Sequence, residues 1–122
     1  PEVRSKRKGI QQALLKKASA LGQVKDADVI ITNPTHYAVA LQYRPSSMLA
    51  PKVLAMGRGL HARRICHVAR KHQIPILRRP PLARALHALA RVDSAIPDST
   101  QTDVARIYRW VIALPGNKVL AS

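Results

Sequence analysis

The stretch Val29-Ile30-Ile31-Thr32-Asn33-Pro34-Thr35-His36-Tyr37-Ala38-Val39-Ala40-Leu41-Gln42-Tyr43 decides the fold. Val29 to Thr32 is rich in β-branched residues, too short for a helix and apolar on both faces, the pattern of a central strand. Asn33-Pro34 then interrupts it. From His36 to Tyr43 the residues alternate, with Tyr37, Val39, Leu41 and Tyr43 on one side and His36, Ala38, Ala40 and Gln42 on the other. Because the second side carries small residues rather than charges, cover on both faces of this strand is expected.

Outward from that pair, Arg44-Pro45-Ser46-Ser47 reads as a loop and Pro51 as the first turn of a helix. Val53, Leu54, Leu60, Ile65, Val68 and Ala69 extend that helix to His72, with Gly57 and Gly59 permitting close packing. Gln73 to Leu77 reads as a short edge strand, its proline favouring an edge or a strand start. Leu82, Ala85, Leu86 and Leu89 follow Pro80-Pro81 as a short helix, and Val92 to Ile96 reads as a last strand. Ser99 or Thr100 caps a final helix carrying Val104, Ile107, Tyr108, Val111 and Ile112, ended by Pro115-Gly116. The predicted fold class is α/β: a small central sheet of about four strands surrounded by about four helices, in the order α-β-β-α-β-α-β-α.

Composition narrows the function. With 122 residues the chain suits one core, and its 47% apolar and 22% charged residues exclude wholesale disorder. No apolar run approaches the ~18 residues of a membrane span, so a soluble piece is expected. The start at Pro1 reads as a fragment of something longer. Cys66 is the one cysteine, which fits a reducing compartment, and no CxxC or HxxxH spacing implies a metal or a cofactor. His61, His67, His72, His87 and Cys66 lack paired carboxylates or a glycine-rich phosphate loop, so turnover of an outside substrate is not expected.

Charge is the strongest compositional signal: 21 Lys and Arg against 6 Asp and Glu, a net +15. Such a field attracts polyanions, nucleic acid or an anionic membrane surface. The chain has no Phe, and its basic residues are spread along its length, which argues against a nucleic-acid reader. Residues 1–25 carry seven Lys/Arg and one acid, with Ile10, Ala13, Leu14, Ala18 and Leu21 at helical spacing. They read either as a solvated helix face or as a basic connector beside a membrane.

Asn33-Pro34-Thr35-His36 has two readings. One is a plain hairpin turn. The other is chemical. Pro34 has no N–H, so the usual attack of the following backbone nitrogen on the Asn33 side chain is closed. The reverse attack stays open: the Asn33 amide nitrogen adds to its own backbone carbonyl, giving a succinimide on Asn33 and a free secondary amine at Pro34. Pro34 also excludes helical torsions at Asn33. Backbone donors or the Thr35 hydroxyl are candidates to hold the oxyanion. His36 is a candidate proton relay or a structural hydrogen-bond partner.

Residues 29 to 43 resemble the signature of the export-switch family of type III secretion, the flagellar FlhB proteins and their injectisome counterparts. The likeness continues through Met48 to Val53, Gly57, Ile65, Ile74-Pro75, Pro81 to Leu86, Ile96-Pro97 and Val104-Ala105, and its details look more flagellar than injectisome-like. The resemblance implies a domain on the cytoplasmic face of the bacterial inner membrane that cuts itself between Asn33 and Pro34, with both fragments staying associated. Cleavage then permits the apparatus to change the class of protein exported.

The resemblance divides the chain into a connector at 1–25 leading from a transmembrane part, a self-cleaving domain at 26–114 and a flexible tail at 115–122. Expected partners are other export components and secreted proteins, met through an apolar patch for which Ala50, Pro51, Ala105 and Tyr108 are candidates; ordinary helix packing is the alternative role of those four. Met56 stands where the family usually has lysine, and His87 where it usually has tyrosine.

Overall fold

In a computed structural model of the chain, residues 20–34 and 36–120 are described. Most of the segment read as a basic connector therefore lies outside the described residues, as does Thr35. Residues 20–23 are helical and run into a 3-10 turn at Val24–Asp26. The strands are β1 (Val29–Asn33), β2 (Tyr37–Gln42), β3 (Lys52–Arg58) and β4 (Ile76–Arg78). The helices are α1 (Leu60–Lys71), α2 (Pro80–Leu89) and α3 (Gln101–Val111). The sheet runs β3-β2-β1-β4, antiparallel except for the parallel β1–β4 pair. An α/β fold around a four-stranded sheet is as expected from the sequence.

Two corrections concern how that sheet is built. Lys52–Arg58 is a strand, where the sequence suggested the first turns of a helix from Pro51. The apolar run Val53-Leu54-Ala55 pairs with the outer edge of β2, and long-range pairing overrides local periodicity. A bulge between Ala40 and Leu41 absorbs one extra residue of β3. Gly59, at φ +58°, turns the chain from β3 into α1, a conformation that favours glycine. Conversely, Val92 to Ile96 is not a strand: one isolated bridge, Lys52 to Ala95, joins it to β3. Asp93 sits at φ +65°, which interrupts extended pairing.

The alternation in β2 sorts two apolar layers. Val29, Ile31, Val39, Leu41 and Val53 pack with Leu82, Leu86, Val104 and Ile107 from α2 and α3. Ile30, Ala38, Ala40, Leu54 and Ala55 pack with Ala62, Ile65 and Ala69 of α1 and with Val24. The alanines let α1 lie close, and both faces of the sheet are covered. Val119, in the stretch read as a tail, is buried in the first of these layers. At Gly57 there is no room for a side chain: a Cβ there would overlap the His61 ring, whose Cγ would lie 2.8 Å away. Gly57→Ala is therefore expected to cost about 1–3 kcal/mol in denaturant unfolding; an unchanged midpoint would show that His61 moves aside freely.

Candidate functional site

The interruption between the first two strands is a tight turn. Asn33 ends β1 and pairs across the ladder with Tyr37, so residues 33 and 37 are fixed on opposite sides of it. The His36 N–H donates to the Asn33 carbonyl at 2.9 Å, closing the turn. The His36 carbonyl in turn accepts from the Gly59 N–H at 3.0 Å, so the loop between β3 and α1 holds the His36 peptide in place. Asn33 is half-buried, Pro34 exposed, and the His36 side chain exposed. Among the described residues none hydrogen-bonds the Asn33 carboxamide.

This arrangement has a specific chemical capacity. The carbonyl that cyclisation would attack already carries a fixed backbone donor, at the distance an oxyanion needs. The backbone N–H that lies on the Asn33 carbonyl is that of His36, while the Thr35 hydroxyl lies outside the described residues. The imidazole of His36 faces solvent and lies 6.3 Å, centroid to centroid, from the Tyr37 ring. Tyr37 packs at 4.5 Å on the ring of His87. Burial, helped by the Arg58 charge, holds His87 below the ordinary imidazole range, so the neutral ring is the one stacked there. Among the described residues no cluster of His, Cys, Asp and Glu can hold a metal ion.

A second site lies at the far end of the domain. Ala50, Pro51, Ala105 and Tyr108 line one apolar groove of about 410 Å³. Leu49 and Leu120, both exposed, stand on its rim. Tyr108 itself is 6% exposed, so its ring is part of the floor rather than a free contact.

Beneath that floor is a group sequence reasoning missed. The Asp28 carboxylate accepts from the Tyr108 hydroxyl at 2.7 Å, the Tyr43 N–H at 2.6 Å and Arg44 Nη1 at 2.8 Å. The Tyr43 and Tyr108 rings meet edge to face at 5.8 Å. Burial, reinforced by the charge and hydrogen bond of Asp28, pushes the Tyr108 phenol far above its ordinary range. The one available signal was an acidic residue set directly against an apolar strand, which needs a partner when buried.

Cys66 is half-buried on α1, and burial raises its thiol above the ordinary range, so it is the unreactive neutral form. Among the described residues no helix is long and apolar enough to cross a membrane.

Comparison with known proteins agrees with this architecture. The sequence model of the FlhB HrpN YscU SpaS family matches residues 1–111. The chain is 48% identical over 104 residues to the flagellar biosynthetic protein FlhB of Yersinia enterocolitica, covering 85% of this chain and 27% of that protein. It is 45% identical over 111 residues to FlhB of Salmonella typhimurium, covering 91% and 29%. The chain thus spans less than a third of the curated relatives it matches.

Among solved structures, the cytoplasmic domain of FlhB from Shewanella putrefaciens superposes with a TM-score of 0.77 at 38% identity, over 81% of this chain and 82% of that one. A mutated EscU C-terminal domain gives 0.74 at 30%, over 80% and 97%. On the family model that matches residues 1–111, with these relatives and structures beside it, the chain belongs to the FlhB HrpN YscU SpaS family.

Proposed function

We propose that this domain cuts its own backbone between Asn33 and Pro34 and thereby controls which class of protein a flagellar export apparatus passes. The hydrogen bond from His36 N–H to the Asn33 carbonyl is the observation that carries this reading. The Asn33 side-chain nitrogen bonds to the Asn33 carbonyl carbon while negative charge builds on the oxygen that His36 N–H holds. The Asn33–Pro34 bond then breaks, and the proton lost by the attacking nitrogen ends on the Pro34 nitrogen. A C-terminal succinimide and an N-terminal proline result, and water later opens the ring. The reaction happens once per chain, so the domain is not an enzyme toward outside substrates.

Topology explains why the pieces remain together. β1, the last element before the cut, is an inner strand, in register with five residues of β2 and three of β4. Cutting one turn removes a covalent link and leaves that ladder and both apolar layers intact. Wild-type protein should show two fragments on a denaturing gel and one species in native solution, and Asn33→Ala should show one band. A single wild-type band after long storage would refute cleavage.

Secreted proteins and other export components are the proposed partners of the groove around Ala50, Pro51, Ala105 and Tyr108, which is apolar and has exposed leucines on its rim. Ala50→Asp is expected to weaken that docking at least tenfold while leaving the melting temperature within about 3 °C, since the site is a partly exposed surface. A large drop in melting temperature instead would make Ala50 a packing residue. The flagellar system is favoured because the similar curated relatives, at 48% and 45% identity, are flagellar biosynthetic proteins. The proposed location is the cytoplasmic face of the bacterial inner membrane, with the basic segment 1–25 as the connector toward it.

A further inference from the structure

The two edges of the sheet are treated differently. The outer edge of β3 is covered by residues 93–96: Val53 N–H donates to Ser94 C=O at 3.0 Å, Asp93 N–H to Val53 C=O at 2.7 Å and Ile96 N–H to Pro51 C=O at 2.9 Å. β4 is the opposite edge. On its inner side Pro75 C=O accepts from Ile30 N–H at 2.9 Å and Arg79 N–H donates to Thr32 C=O at 2.9 Å. Alternate peptide groups in a strand point opposite ways, so Ile76 and Arg78 aim theirs outward. The Arg78 carbonyl is taken by Arg79 Nη1 at 2.8 Å. Among the described residues nothing pairs with Ile76 N–H, Ile76 C=O or Arg78 N–H.

A groove borders that edge on each face of the sheet. Ile76 and Arg78 line one of about 600 Å³ with Arg63, Cys66, His67 and Arg70 of α1, and it ends at Pro34. Leu77 and Arg79 line the other, about 550 Å³, with Arg106, Ile107 and Trp110 of α3. An added strand would send its alternate side chains to these same two faces. Both grooves have apolar floors and arginine rims. Asp103 is the one carboxylate lining either, and it lies 3.9 Å from Arg106. A second copy of this chain, at +15, would set arginine against arginine edge to edge and be repelled.

We propose that the β4 edge receives an extended acidic segment of a partner protein as a fifth strand, its apolar and acidic side chains alternating into the two flanking grooves. The backbone supplies the pairing and the arginines supply the choice of partner. This use of the edge does not depend on the cut at Asn33.

A blocked peptide of alternating glutamate and valine is the probe, with a lysine–valine peptide as control. Added to the whole domain, the acidic peptide should shift the amide resonances of residues 76–78 and slow hydrogen exchange at Ile76 and Arg78. The lysine peptide should do neither, and affinity should fall with salt. The double variant Arg63→Glu with Arg70→Glu, both exposed, should bind roughly tenfold more weakly, as the loss of two exposed ion pairs implies, with an unchanged thermal melt. Absence of binding, equal binding of both peptides, or shifts confined to other residues would overturn the proposal. So would protection of these amides by anionic phospholipid vesicles and not by the peptide.

Discussion

Asp28→Ala is expected to lower stability by about 3–5 kcal/mol, the cost of leaving a buried charge partner unmatched. The Asp28 side chain is 1% exposed, and that of Arg44 is 15% exposed, so water does little to replace the lost carboxylate. Three donors would lose their carboxylate acceptor together: the Tyr43 N–H, Arg44 Nη1, which keeps only the Tyr43 carbonyl at 2.7 Å, and the Tyr108 hydroxyl, which lies 80 residues away in sequence. For a domain of this size the melting temperature should fall by roughly 15 °C or more. Asp28→Asn should cost less, because one carboxamide oxygen still accepts while its NH₂ meets a donor.

The same network fixes the response to alkali. Folding holds the Tyr108 proton more tightly than the unfolded chain does, because burial and Asp28 both oppose the phenolate. Its contribution is therefore complete below about pH 10 and declines as pH rises beyond the ordinary phenol range. Tyr108→Phe should flatten that alkaline decline at some cost near neutrality. A melting temperature for Asp28→Ala within a few degrees of wild type would show that the cluster relaxes without loss.

The second large effect is expected at the Asn33–Pro34 bond, the proposed site of cleavage. Asn33→Ala removes the attacking nitrogen, and cleavage should be lost altogether. His36 offers a finer test, because its backbone and its side chain have separate roles here. His36→Ala keeps the N–H that bonds the Asn33 carbonyl, and its imidazole is exposed, so water can replace it as a proton carrier. His36→Pro removes the N–H and should slow cleavage by about 10²–10³, the usual effect of deleting one oxyanion donor. Cleavage measured over time on denaturing gels separates the two. Equal rates for both variants would mean the backbone donor does nothing.

The inner half of the sheet was legible because its signals are local. Val29 to Thr32 is apolar on both faces, Tyr37 to Leu41 alternates, and Asn33-Pro34 punctuates them. β3 was not, since Val53-Leu54-Ala55 satisfies either a helix or a strand and only the open edge of β2 decides. Val92 to Ile96 misled for the opposite reason: its apolar residues cover an edge without joining the ladder beyond Lys52–Ala95.

At the turn, the residue types suggested the proposed chemistry, whereas the donor to the Asn33 carbonyl is a backbone group that any residue but proline supplies. Asp28 was hidden because its partners Arg44 and Tyr108 are distant in sequence, and one acid in a basic chain has no periodicity. The four residues named as a partner patch do meet in one groove, although Tyr108 turned out to be its floor.

Whether the Asn33–Pro34 bond is cut can be read from the intact mass of the purified, folded domain under denaturing conditions. Two species that divide the chain between Asn33 and Pro34 are expected, the second beginning with proline. Their summed mass should equal the uncut chain while the succinimide survives, and exceed it by one water once the ring has opened. One species at the full mass, in folded protein kept for days, would contradict cleavage there.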